Sequence, residues 1–117
     1  TPESSAHQNF KDTVIGTPEG ETILALKQLT PVRLIKNDFC NRVLEAEKNG
    51  ANVEQLKELL GRARAKKGMF EGDLKEGELE IGQVSGMIKE IKPAAEIVNE
   101  IINEFNESIK RIGNLKF

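Results

Sequence analysis

One cysteine, one histidine and neither tryptophan nor tyrosine in 117 residues leave little of the usual equipment for chemistry. A single thiol, Cys40, excludes an internal disulfide and fits a reducing compartment, so the chain is expected in the cytoplasm. A single imidazole means that any Cys/His metal centre or Ser-His-Asp triad would have to be built on His7. Its neighbours Ser4 and Ser5 are better suited to capping a helix, and His7 reads as structural or solvent-facing. Five phenylalanines are the only aromatic residues, too few to furnish stacking platforms for bases or sugars. The 17 basic and 19 acidic residues nearly cancel, so no net field draws nucleic acid or an anionic membrane. No apolar run is long enough to span a bilayer, and no GxGxxG or P-loop is present to cradle a phosphate. Neither nucleic acid nor membrane is expected as a partner.

Glycine and small residues, by contrast, are plentiful where they should be costly. Residues 71–93, EGDLKEGELEIGQVSGMIKEIKP, place Leu79, Ile81, Val84, Met87 and Ile88 near helical spacing. Gly82, Ser85 and Gly86 then form a neighbouring stripe of almost no bulk, which needs a reason because glycine weakens helices. Such a stripe suits tight packing against another element or the approach of a flat ligand. Gln83 at its edge carries a donor and an acceptor in one amide.

The rest of the chain reads mostly as helices. Thr1-Pro2-Glu3-Ser4 has the form of a helix start, and Ala6, Phe10 and Val14 repeat every four residues up to Gly16. Residues 22–29, TILALKQL, are the best strand, ended by Pro31; unless residues 32–35 add a short second one, its partner is either another copy or missing chain. Asn37 caps a helix with Phe39, Cys40 and Val43 inward, and Cys40 on that face reads as a buried, inert thiol. Asn52 and Gln55 have capping-box spacing before Leu56, Leu59 and Leu60. That helix pauses at Gly61 and is expected to resume through Arg62, Arg64, Lys66 and Lys67, a basic run that reads as a solvated face. Glu71, Asp73, Glu76, Glu78 and Glu80 lack the spacing of a calcium loop, so no metal site is expected. Pro93 opens a last helix whose stripe from Ala94 to Ile112 runs for about five turns of 3.6 residues.

Four segments together, ESSAHQNFK at 3–11, PVRLIKN at 31–37, KKGMFEGDLKEGELEIGQVSGMIKEIKP at 66–93 and AAEIVNEII at 94–102, resemble the C-terminal part of the FMN-dependent nitronate monooxygenases (2-nitropropane dioxygenases) and of the related FMN-dependent enoyl-ACP reductases. The resemblance implies an α/β fold: the C-terminal portion of a (β/α)8 barrel with an appended helical region, this segment being mainly helical with one or two short strands. It assigns residues 1–36 to the last helix and strand of the barrel and residues 37–117 to helices closing the active site. It implies FMN bound mainly by residues upstream of Thr1, with Gly82, Gln83, Ser85 and Gly86 near the mouth of the site and no catalytic residue in this segment. Nitronate oxidation is the first activity it suggests. Reduction of an enoyl thioester with NAD(P)H is the alternative, and a free-standing helical interaction module is the reading from another class. The expected partners are a small-molecule substrate, the remainder of the barrel and a second copy as a homodimer.

Overall fold

The structure, a computed structural model, describes residues 1–116. Two short strands, β1 (Thr22–Ala25) and β2 (Val32–Ile35), pair antiparallel with Thr22 opposite Ile35 and Ala25 opposite Val32. The strand expected over 22–29 therefore ends four residues early, and its partner lies within the chain. The cause is local. Leu26 turns into the left-handed region at φ 55°, and the Lys27 N–H donates to Glu47 Oε1 at 2.9 Å instead of to a ladder. The outer edge of β2 is also occupied: Ile35 N donates to Leu79 O and Ile81 N donates to Arg33 O, each at 3.0 Å.

Alternation along the hairpin sends side chains into two cores. On one face Ala25 and Leu34 join Leu26, Phe39, Cys40 and Val43, with Leu44, Leu59 and Leu60 packed around them. On the other, Ile35 joins Phe10 and Leu79, flanked by Val14, Met69, Leu74 and Ile81. The first core is built by α2 (Asp38–Lys48) and α3 (Val53–Leu60). Asn37 caps α2 by accepting from Cys40 N at 2.8 Å, while its amide donates to the carbonyls of Leu74 and Gly77. Asn52 and Gln55 close a reciprocal capping box on α3, both bonds at 2.9 Å. Cys40 is buried, and burial pushes its thiol pKa up.

Three expected helices take other forms. The first, α1, spans Gln8–Gly16 and does not start at Thr1. His7 is its cap: Nδ1 accepts from Asn9 N at 3.1 Å, and the His7 N–H donates to Met69 O at 2.8 Å. The helix after Gly61 resumes as a wide π-helical turn, Lys66–Phe70, because Gly61 at φ 66° stops α3. Residues 78–89 form no α-helix at all. Leu79 and Ile81 follow the period of two that pairing with β2 requires, and a 3₁₀ helix, Gln83–Met87, follows.

The fourth helix, α4 (Ala94–Gly113), is the one the apolar stripe predicts. Residues 5–90 form one compact unit, and residues 1–4 with those from 91 onward form another. The boundary expected at 36/37 thus falls inside the first unit, between β2 and α2. In the second unit Glu3 accepts from Ala94 N at 3.1 and 3.2 Å, so this acid caps α4, and hydrogen bonds from its own backbone N–H and then from Ala94 hold its carboxyl below the usual range. Among the described residues of α4 none is buried; Val98, Ile101, Phe105 and Ile112 are each more than half exposed. Among the described residues no helix is long and apolar enough to cross a membrane.

Candidate functional site

The glycine-rich stretch divides into two parts that use glycine differently. From 66 to 77 the chain folds back on itself. Gly68 and Gly77 meet backbone to backbone, so that a Cβ on Gly77 would stand 2.1 Å from Gly68 Cα. Gly72, at φ 77°, lies against the His7 ring, where a Cβ would come within 2.3 Å of Nδ1. Asn9 Nδ2 closes the same contact by donating to Gly72 O at 3.1 Å.

Charged residues here are committed to structure. Arg64 donates to the end carbonyls Leu59 O and Leu60 O of α3, and to the carbonyl and carboxylate of Glu76. Its guanidinium lies 4.7 Å over the Phe39 ring. Glu76 also takes both ends of the Arg42 fork, at 2.9 and 2.6 Å. Arg64 is therefore not part of a solvated basic face, though Arg62 is exposed and Lys66 and Lys67 make only rim pairs with Glu71 and Asp73. Hydrogen bonds from Arg42, then Arg64, lower the Glu76 pKa; backbone N–H groups of Glu76 and Lys75, together with Lys67, lower that of Asp73. Glu78 is buried, and desolvation, reinforced by Glu80, raises its pKa.

From 82 to 88 the arrangement opens. Gly82, the cap of the 3₁₀ helix, is exposed, with no atom within 4 Å of where a Cβ would stand, and Gln83 beside it is exposed. Ser85 and Gly86 face inward. The small stripe is thus split: the space beside Gly86 is filled by the 17–21 turn, with Glu19 Cα 2.7 Å from where a Cβ would be. Ser85 Oγ is buried without a hydrogen-bond partner among the described residues, an uncommon situation for a hydroxyl.

Gln83 lines an open cavity of about 450 Å³ with Glu19, Gly20, Thr22, Arg33, Val84 and Met87. In the sequence Arg33 stands out only as part of the PVRLIKN segment, and nothing in its spacing marks it as a site residue; the β-hairpin brings it here. Its Nη1 donates to Thr22 O and Oγ1 at 3.3 and 3.2 Å, an anchor across the two strands. A second cavity of about 430 Å³ lies between Thr13, Gly16, Thr17, Pro18, Glu21, Ile35 and Lys36. There Lys36 is already paired with Glu21 at 3.1 Å. The fit to FMN is that of one wall: Gly82 and Gln83 can meet a ligand's edge, but Gly86 is spent on the 17–21 turn, and the residues here do not cradle a whole flavin nucleotide.

Neither a family model nor a curated protein matches the sequence. Solved structures do. FabK from Thermotoga maritima is 29% identical, with a TM-score of 0.81 over 92% of this chain. A methionine-to-alanine mutant of that FabK aligns over 94% of the chain at 24% identity and a TM-score of 0.74, a likeness of fold alone. The chain spans about a third of those proteins, 34% and 32% of their lengths.

Proposed function

We propose that this chain is the C-terminal part of an FMN-dependent oxidoreductase that reduces an enoyl thioester. The observation that carries the reading is the likeness to FabK over 92% of the chain, and it favours the reductase over nitronate oxidation, the activity the motifs suggest first. The (β/α)8 barrel, FMN and its phosphate site, and the catalytic groups then belong to the other two thirds of the protein, since the chain spans a third of FabK. FMN, when bound there, supplies hydride transfer.

Two features support the division of labour. The chain leaves the second unit after Ser4 and returns to it at Ile91, and Glu3 and Ala94 are hydrogen-bonded. Residues 5–90 therefore read as an inserted module covering a site, with residues 1–4 and α4 as its two stems on the main body. The exposed stripe of α4 is then covered by that body, as amphipathic helices generally are.

In this reading Gly82 and Gln83 are the part of the small-residue segment that reaches the reactants, while Ser85 and Gly86 shape the turn beneath them. The test uses the complete protein. It should purify with FMN and oxidise NADH or NADPH on addition of an enoyl thioester under anaerobic conditions, and Gln83→Ala should lower kcat/KM without loss of flavin. Oxygen consumption with an alkyl nitronate, and none of the above, would replace this reading by nitronate oxidation. A protein with no flavin at all would leave the helical module.

A further inference from the structure

The cavity beside Gln83 contains an arginine whose hydrogen-bonding capacity is half used. Arg33 is half-buried and held at Nη1 by the carbonyl and hydroxyl of Thr22, while Nε and Nη2 have no partner among the described residues. A guanidinium stays charged at any relevant pH and presents donors in a fixed fork. Held at one end by a β-hairpin, it offers the other end, already oriented, to an anionic group.

The remaining walls narrow the choice. Val84 and Met87 are 66% and 71% exposed, large apolar side chains left uncovered on one short helix. Glu19 and Gln83 bring an acceptor carboxylate and an amide with both functions, neither with a partner among the described residues. A small inorganic anion would use Arg33 alone and be repelled by Glu19. A ligand with a phosphate for Arg33, N–H or O–H donors for Glu19 and Gln83, and an apolar portion for Val84 and Met87 would use all of them. The volume of about 450 Å³ is within the range of small-molecule sites.

We infer that this cavity binds the organic-phosphate part of a reactant through Arg33, with Thr22 as its positioning residue and Met87 as the apolar wall. The inference rests on the proposed reductase for the two sources of such chemistry: the phosphopantetheine arm of an acyl carrier, and a nicotinamide nucleotide. Both combine phosphate, donors and apolar surface.

Calorimetric titration of the complete protein with phosphopantetheine and with nicotinamide mononucleotide, each beside its phosphate-free counterpart, pantetheine or nicotinamide riboside, decides the matter. One phosphorylated probe should bind at least tenfold more tightly than its counterpart. Arg33→Gln should remove about tenfold or more of that affinity, the usual effect of losing a charge-assisted hydrogen bond, and Arg33→Lys should restore part of it. Which probe responds identifies the source. Met87→Glu, at an exposed position that cannot unfold the chain, should weaken the same probe by repulsion. Lys48→Gln, which removes a distant cation from α2, should not. Equal affinity with and without phosphate, or an Arg33→Gln protein and a Met87→Glu protein that both bind as the parent does, would overturn the inference. Absence of FMN from the purified protein would instead sink the reductase reading, and the titration would still judge the cavity.

Discussion

Residues 66–77 and residues 82–88 both carry glycine, three in the first and two in the second, yet the two segments are put to opposite use. In the first, glycines let backbone meet backbone and the side chains of Asp73 and Glu76 are bonded within the fold. In the second, the Gln83 side chain has no hydrogen-bond partner among the described residues, Val84 and Met87 are exposed, and of the two glycines only Gly86 is used for close packing. A protein gains no stability by leaving large apolar groups in water. The contrast separates scaffold from an open surface, which the proposed function gives to another molecule.

The sharpest way to break that contrast is to place the same substitution on both sides of it. Gly77→Ala drives a methyl into the Gly68 backbone, which cannot step aside as a side chain could. The loss should be about 3 kcal/mol, at the upper end for overpacking. Gly82→Ala meets open space at an ordinary φ of −81° and should change stability by less than about 0.5 kcal/mol. Denaturant midpoints of the two variants measure the difference. Comparable losses would mean that residues 82–88 are as tightly built as residues 66–77.

A charge substitution in the scaffold should show itself through pH. The folded-state pKa of Glu76 lies below its ordinary 4.5, so the carboxylate contributes stability that is present above the unfolded value and lost as pH falls through the folded one. Glu76→Gln should therefore lower the melting temperature at pH 7, and the gap to the parent should close below pH 4.5. Glu78 has the opposite sign, because burial raises its pKa above the ordinary 4.5. Its ionisation costs stability as pH rises through that window, so Glu78→Gln should melt higher than the parent at pH 7 and converge with it in acid. Thermal melts at pH 7 and pH 4 read both; two shifts of the same sign at neutral pH would contradict the pair.

How much of this is legible in the sequence varies with how local the cause is. The Asn52 and Gln55 capping box, the Asn37 cap and the stripe of α4 depend on neighbours three or four residues away, and the pattern predicts each of them. The 78–89 stretch misleads because Leu79, Ile81, Val84 and Met87 satisfy a period of 3.6 nearly as well as Leu79 and Ile81 satisfy a period of two. Pairing with β2, some 45 residues upstream, decides between them. The first strand, whose pairing the sequence leaves open, finds its partner in residues 32–35 just after the next turn, because Leu26 adopts a conformation that leucine rarely takes. Arg33 escapes notice for the same reason: its place beside Gln83 is a product of the hairpin, and the four small or polar residues proposed for the site end on both sides of the boundary between surface and core.

Ser85 lies on that boundary and should give a small effect. Its hydroxyl is buried without a partner among the described residues, whereas a satisfied hydroxyl would contribute about 1 kcal/mol. Ser85→Ala removes an unmet hydrogen-bonding group while keeping the shape of the turn over Glu19, so stability should stay level or rise by up to about 1 kcal/mol. A fall of that size in the complete protein, with Gly82→Ala still neutral, would mean that Ser85 finds its partner in the remainder of the protein, as the proposed covering role of residues 5–90 requires. The open side of the module would then extend one residue deeper than Gln83, and the serine would count with the surface kept for another molecule.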